Sequence, residues 1–193
     1  MSMKVLLCIS GASGVIYGYR LLKALSEMEN VEPYLVVSEA ARGIMDLELD
    51  VDPEEMKALA KTCYEPDDMG APPASGSALY DAVVIAPCSV STLSKVAAGI
   101  GDNLITRAAA VALKEGKKLI LVPRETPLSI IHLQNMVIVS SAGGTMLPAS
   151  PAFYGNPKTI EDMVDHIVGK ILDSMGLENQ IYPRWESDHR TSV

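Results

Sequence analysis

The chain has 193 residues, 48% hydrophobic and 21% charged, enough to bury a full core at a length that suits one domain, residues 1–193. Sixteen basic residues against twenty-four acidic ones give a net charge of -8, which argues against a general nucleic-acid or anionic-membrane surface. An anionic ligand must therefore be held by local groups.

The apolar stretch Val5-Leu6-Leu7-Cys8-Ile9 near the start is too short to span a bilayer and shows no signal-peptide cleavage pattern, so the cytoplasm is the expected compartment. It reads as a strand over 4–10, followed by a helix over 14–28. A second strand over 34–38 precedes helices over 39–47 and 53–62, and a third over 82–86 precedes helices over 90–98 and 103–114. A strand over 118–122, a helix over 129–135, a short strand over 136–139 and a last helix over 160–175 complete the chain. Short apolar runs alternating with helical segments predict an α/β fold, a Rossmann-like or flavodoxin-like three-layer sandwich with a mainly parallel sheet. Residues 64–78 and 142–157, rich in Pro and Gly, read as long loops, which in a compact domain are often functional.

Cys8, Cys63 and Cys88 are odd in number and far apart, suggesting small apolar fillers rather than a disulfide framework or a zinc pair. His132, His166 and His189 are dispersed too, and no metal-ligand spacing joins them.

The first expected strand ends in Ser10-Gly11-Ala12-Ser13-Gly14, where glycines admit a ligand to the backbone and a helix start offers N–H groups to a phosphate. A tight turn without a ligand is the other reading. The spacing departs from GxGxxG, and the second strand ends at Ser38 rather than at an acidic residue, which favours a mononucleotide over a dinucleotide. Pro87-Cys88-Ser89-Val90-Ser91-Thr92 packs three hydroxyls into one helix entry, more than capping alone requires. Arg124 and Glu125 follow the fourth strand, either as a surface ion pair or as a phosphate grip beside a proton acceptor. Glu48, among Leu47, Leu49 and Val51, is a solvated helix end, or a carboxyl with a raised pKa if buried.

Taken together, these segments resemble the flavin prenyltransferases of the UbiX-like family, once described as aryl-acid decarboxylases. The likeness rests on 10–18, Val37-Ser38-Glu39-Ala40-Ala41, 48–51, 71–77, 86–95, 102–109, 122–127, 151–157 and Pro183-Arg184-Trp185, and spans nearly the whole chain. It implies that Gly11, Ala12, Ser13, Ser38, Ser89, Val90, Ser91, Thr92 and Arg124 hold FMN. It further implies that Tyr154 and Lys170, with Lys114 and Arg124, hold the phosphate of dimethylallyl phosphate, and many relatives carry arginine where this chain has Lys170. A lysine there replaces a bidentate grip with a point charge.

The implied reaction joins the dimethylallyl group to N5 and C6 of reduced FMN, releasing phosphate and giving prenylated FMN, with Glu48, Glu125 and the Ser13 hydroxyl moving protons. No metal is implied. A homododecamer is, as is delivery of the product to a UbiD-type decarboxylase. Flavin-dependent cysteine decarboxylases are similar in the Gly-rich turn, but they carry asparagine at the position of Ser91 and a Pro-x-Met-Asn clamp where this chain has Pro123-Arg124-Glu125-Thr126-Pro127. A non-catalytic FMN carrier is the other alternative, and it has no need of Glu48 or of a second phosphate site.

Overall fold

The computed structural model describes residues 2–185, so His189 lies outside the described residues. Two compact units are present, one ending at Ala149 and the other beginning at Ser150.

In the first unit, β1 (Met3–Ile9), β2 (Val31–Val37), β3 (Thr62–Tyr64), β4 (Ala82–Cys88), β5 (Lys118–Pro123) and β6 (Thr145–Met146) form one sheet in the order β3-β2-β1-β4-β5-β6. Every pairing is parallel. The helices are α1 (Val15–Ser26), α2 (Glu39–Glu48), α3 (Pro53–Ala58), α4 (Val90–Ala97), α5 (Leu104–Lys114) and α6 (Ile130–Ser141). One sheet face, with Leu6, Cys8, Val36, Val83, Ile85, Leu119 and Leu121, buries Leu93 and Val96 of α4 and Leu104, Ile105 and Ala108 of α5. Helix α1 lies against β1, β2 and β4 and buries Val15, Leu21, Leu22 and Leu25, so helices cover both faces and the central strands are apolar throughout. The α/β flavodoxin-like expectation is therefore met.

Three local expectations fail. Residues 136–139 belong to α6, not to a strand: the Val-Ile-Val run suggests extended backbone, but a Ser129–His132 capping box starts a helix that continues to Ser141, and Asn135 Nδ2 donates to Ser94 Oγ on α4 at 2.9 Å. The edge strand comes later, at Thr145–Met146, after Gly143 turns the chain at φ 99°. The helix expected over 53–62 stops at Ala58, and Thr62–Tyr64 pairs with β2 instead. Cys63 on that edge strand is exposed rather than packed, whereas Cys8 and Cys88 are buried fillers whose thiols burial pushes up.

The second unit contains α7 (Ile160–Met175), started by a Thr159–Asp162 capping box and ended by Gly176 at φ 79°. Its stripe of Val164, Ile167, Val168, Ile171 and Leu172 is buried. Among the described residues, no helix is long and apolar enough to cross a membrane.

Candidate active site

The carboxyl ends of β1, β2, β4 and β5 carry the residues that line a pocket of about 480 Å³. Its walls are Gly11, Ala12, Ser13, Ser38, Ala40, Ile44, Ser89, Val90, Ser91, Thr92, Arg124 and Glu125. Parallel strands aim their carboxyl ends, and the helices that follow, at one rim, which is where open α/β sheets place ligands.

Ser10 ties this rim together. Its hydroxyl is buried, donates to Pro87 O at 2.9 Å and accepts from Ser89 N at 2.8 Å, locking the end of β1 to the start of α4. The next residue must be glycine, because a Cβ at Gly11 would come within 2.6 Å of Ala40 Cβ on α2. Gly14 then takes φ 96°, a left-handed value that side chains disfavour, and caps α1 without a side-chain acceptor of its own.

That missing acceptor comes from α2. Glu48, the last residue of α2, accepts from Gly14 N at 2.8 Å and Val15 N at 3.3 Å. The N–H groups expected to meet a phosphate at the start of α1 therefore meet a carboxylate. Desolvation pushes the Glu48 carboxyl up, but the Ser13 hydroxyl, the Gly14 and Val15 N–H groups and the Arg124 charge together bring it below its ordinary value. The apolar neighbours in the sequence suggest the opposite direction, and they lose because hydrogen bonds to the charged form outweigh desolvation at a helix start.

Two other helices begin at the pocket. Ser38 caps α2 by accepting from Ala41 N at 3.1 Å, and Ser89 caps α4 by accepting from Thr92 N at 3.1 Å while donating to Thr92 Oγ1 at 3.0 Å. Ser91 has no such capping duty and is exposed at the pocket. Arg124 follows β5, with its Nε buried and without a hydrogen-bond partner among the described residues. Glu125 beside it accepts from Thr126 N at 2.9 Å.

These groups fit a flavin mononucleotide. Two helix starts, five hydroxyls and a guanidinium with an unused buried donor suit a phosphate and a polar ring edge, and the volume suits a ligand of that size. Ala40 and Ile44 line the pocket but were not read from the sequence. The signal was available, since both follow the Ser38 cap on the first turns of α2.

The donor-phosphate candidates do not all meet this pocket within the first unit. Lys114 ends α5 just before β5 begins, at the opposite edge of the sheet, and its Nζ contacts Glu115 Oε1 at 2.5 Å. Tyr154 and Lys170 belong to the second unit. There the Tyr154 ring meets Trp185 at 5.2 Å and His166 at 6.0 Å, both edge to face. Lys170 Nζ lies 4.0 Å from Asp173 Oδ2. The Arg184 guanidinium, with Tyr182 and Asn179 also donating, holds the Asp173 carboxyl down to about 2 against desolvation. Among the described residues no group of three or more His, Cys, Asp or Glu could hold a metal ion.

The Flavoprotein family profile matches residues 1–172. Flavin prenyltransferase UbiX of Thermoplasma acidophilum is 50% identical over 183 residues, covering 95% of this chain and all of that protein. A dodecameric FMN-dependent UbiX-like decarboxylase of Escherichia coli O157:H7 superposes with a TM-score of 0.94 at 45% identity, over 96% of this chain and 100% of that one. AnUbiX in complex with FMN and dimethylallyl pyrophosphate also gives a TM-score of 0.94, at 41% identity, over 97% and 99% of the two chains. The chain belongs to the Flavoprotein family and, within it, to the UbiX-like flavin prenyltransferases.

Proposed function

We propose that this chain is a metal-independent prenyltransferase that moves the dimethylallyl group of dimethylallyl phosphate to N5 and C6 of reduced FMN. The observation that carries the proposal is an unpartnered buried Arg124 Nε at the pocket wall, with its charge felt by a Glu48 carboxylate that the pocket residue Ser13 and the N–H groups of Gly14 and Val15 hold. FMN when bound supplies the two ring positions that take the five-carbon group.

Gly11, Ala12, Ser38, Ser89, Val90, Ser91 and Thr92 form the wall on which the flavin lies, and Arg124 holds its polar side. Glu48 is ionised because its pKa is lowered, so it begins as a proton acceptor, and the Ser13 hydroxyl hydrogen-bonded to it relays the proton. Glu125, at the same rim, receives or returns the second proton. Negative charge grows on the departing phosphate, and Arg124, Lys114, Lys170 and Tyr154 are the groups that stabilise it. Lys114, at the far edge of its own sheet, serves the site of a neighbouring copy.

Residues 1–193 act as a single flavoprotein domain, in a cytoplasmic homododecamer whose product, prenylated FMN, goes to a UbiD-type decarboxylase. The cysteine decarboxylase reading is disfavoured by Ser91 and by Pro123-Arg124-Glu125-Thr126-Pro127, which replace the residues that those enzymes use on substrate.

The test is anaerobic incubation of the purified protein with reduced FMN and dimethylallyl phosphate, and in parallel with the diphosphate, followed by mass analysis of the extracted flavin. One added five-carbon unit, with or without a chelator, is the expected result. Unmodified FMN with both donors, where FMN demonstrably binds, sinks the proposal in favour of a flavin carrier.

A further inference from the structure

Tyr154 lies in a turn and is 47% exposed, so its own backbone does little to fix its ring. It also borders a cavity of about 160 Å³, shared with Ala152, Pro157, His166, Ile181 and Pro183, which gives a loosely held ring room to turn. Two rings meet it edge to face, Trp185 at 5.2 Å and His166 at 6.0 Å. Trp185 is itself 69% exposed. His166 instead projects from α7 and is backed by Tyr182, whose ring lies 5.0 Å away.

Tyr182 is firmly seated. It is buried, its hydroxyl donates to Asp173 Oδ2 at 2.6 Å, and Gly169 makes room for it, since a Cβ there would come within 2.1 Å of the Tyr182 ring. Support therefore runs from α7 through Asp173, Tyr182 and His166 to Tyr154. The imidazole acts in this chain as a flat ring and not as a hydrogen-bonding group: its Nδ1 is buried without a partner among the described residues. Burial, and then the charge of Lys170 one turn along α7, lower its pKa and favour the neutral form. Asp162, the carboxylate bordering the same cavity, accepts from Lys158 N and Thr159 N at the start of α7.

We propose that His166 is a positioning residue whose ring holds Tyr154 in the orientation that receives the phosphate of the allyl donor. The inference rests on the role given to Tyr154 above and adds the residue that keeps Tyr154 in place.

The experiment is isothermal titration calorimetry of dimethylallyl phosphate into the protein loaded with oxidised FMN, so that donor binding is read without transfer. His166→Phe keeps a planar ring, and His166→Leu keeps bulk without one. His166→Leu is expected to weaken donor binding about tenfold, the scale of a lost edge-to-face pair, with FMN affinity unchanged, while His166→Phe stays within about twofold of wild type. In a Tyr154→Leu background the further change His166→Leu is expected to cost little more, because its effect passes through Tyr154. Four results each overturn the inference: wild-type donor affinity in His166→Leu, an equal loss of FMN affinity, a loss in His166→Phe as large as in His166→Leu, or additive losses in the double variant. Where circular dichroism shows that His166→Leu fails to fold, His166→Met replaces it with the same expectations. A wild-type complex that does not bind the donor overturns both the inference and the role of Tyr154. Donor binding without a gain of flavin mass in the reduced, anaerobic assay removes the prenyltransferase reading and leaves the inference standing.

Discussion

At Glu48 two effects act in opposite directions. Desolvation favours the neutral carboxyl, while three hydrogen-bond donors and the Arg124 charge favour the anion, and the anion prevails. The same carboxylate completes the start of α1, so it is both a cap and a proton acceptor. Glu48→Gln keeps an oxygen for Gly14 N but removes the charge and the basicity. Prenylated flavin formation is expected to fall by about 10²-fold or more, the usual scale of a lost acid–base group, while FMN binding persists. Parallel single-turnover kinetics and flavin titration check this, and equal losses in both would reduce Glu48 to a structural cap. From its own neighbours Glu48 reads as a solvated helix end. Its role depends on Gly14, 34 residues away, and no local pattern carries that information.

Elements meet at the rim through backbone groups that a few short side chains satisfy. Ser10 is the clearest case, because its hydroxyl serves Pro87 O and Ser89 N at once. Ser10→Ala leaves the Ser89 N–H without that acceptor, and stability is expected to drop by about 1–3 kcal/mol, read as a lower urea midpoint at unchanged slope. The second unit has its own organiser in Asp173, which accepts from Arg184, Tyr182 and Asn179. Its pKa is held down, mainly by Arg184, from 3.8 to about 2, so its contribution is complete above the unfolded value and is lost as pH falls through the folded one. At about 1.4 kcal/mol per unit, the contribution is roughly 2 kcal/mol. The stability gap between wild type and Asp173→Asn is thus expected to be full above pH 4 and to close toward pH 2 in urea titrations. A gap that widens on acidification would contradict this account. Neither device was legible beforehand, since Ser10 is one of several serines in a glycine-rich turn and Asp173 looks like any acidic residue on a helix.

Over the whole molecule, assembly and charge are linked. Chains of net charge -8 repel one another, and added salt screens that repulsion. Raising salt to about 1 M shortens the screening length to about 3 Å. The assembled mass is therefore expected to hold at high salt in equilibrium sedimentation, and dissociation would point to ion pairs as the joint. What the sequence by itself determined is the parallel α/β frame and the ligand rim: continuous apolar runs make buried strands, and Gly11, Ser38, Ser89 and Arg124 follow those strands directly. Tertiary structure alone decided the rest. The edge strands Thr62–Tyr64 and Thr145–Met146 are too short to show a period, and residues 136–139 became helix because their cap and their contact with Ser94 outweighed β-branched propensity. It also decided that Glu48, rather than a phosphate, occupies the start of α1, because that choice depends on where α2 ends in space.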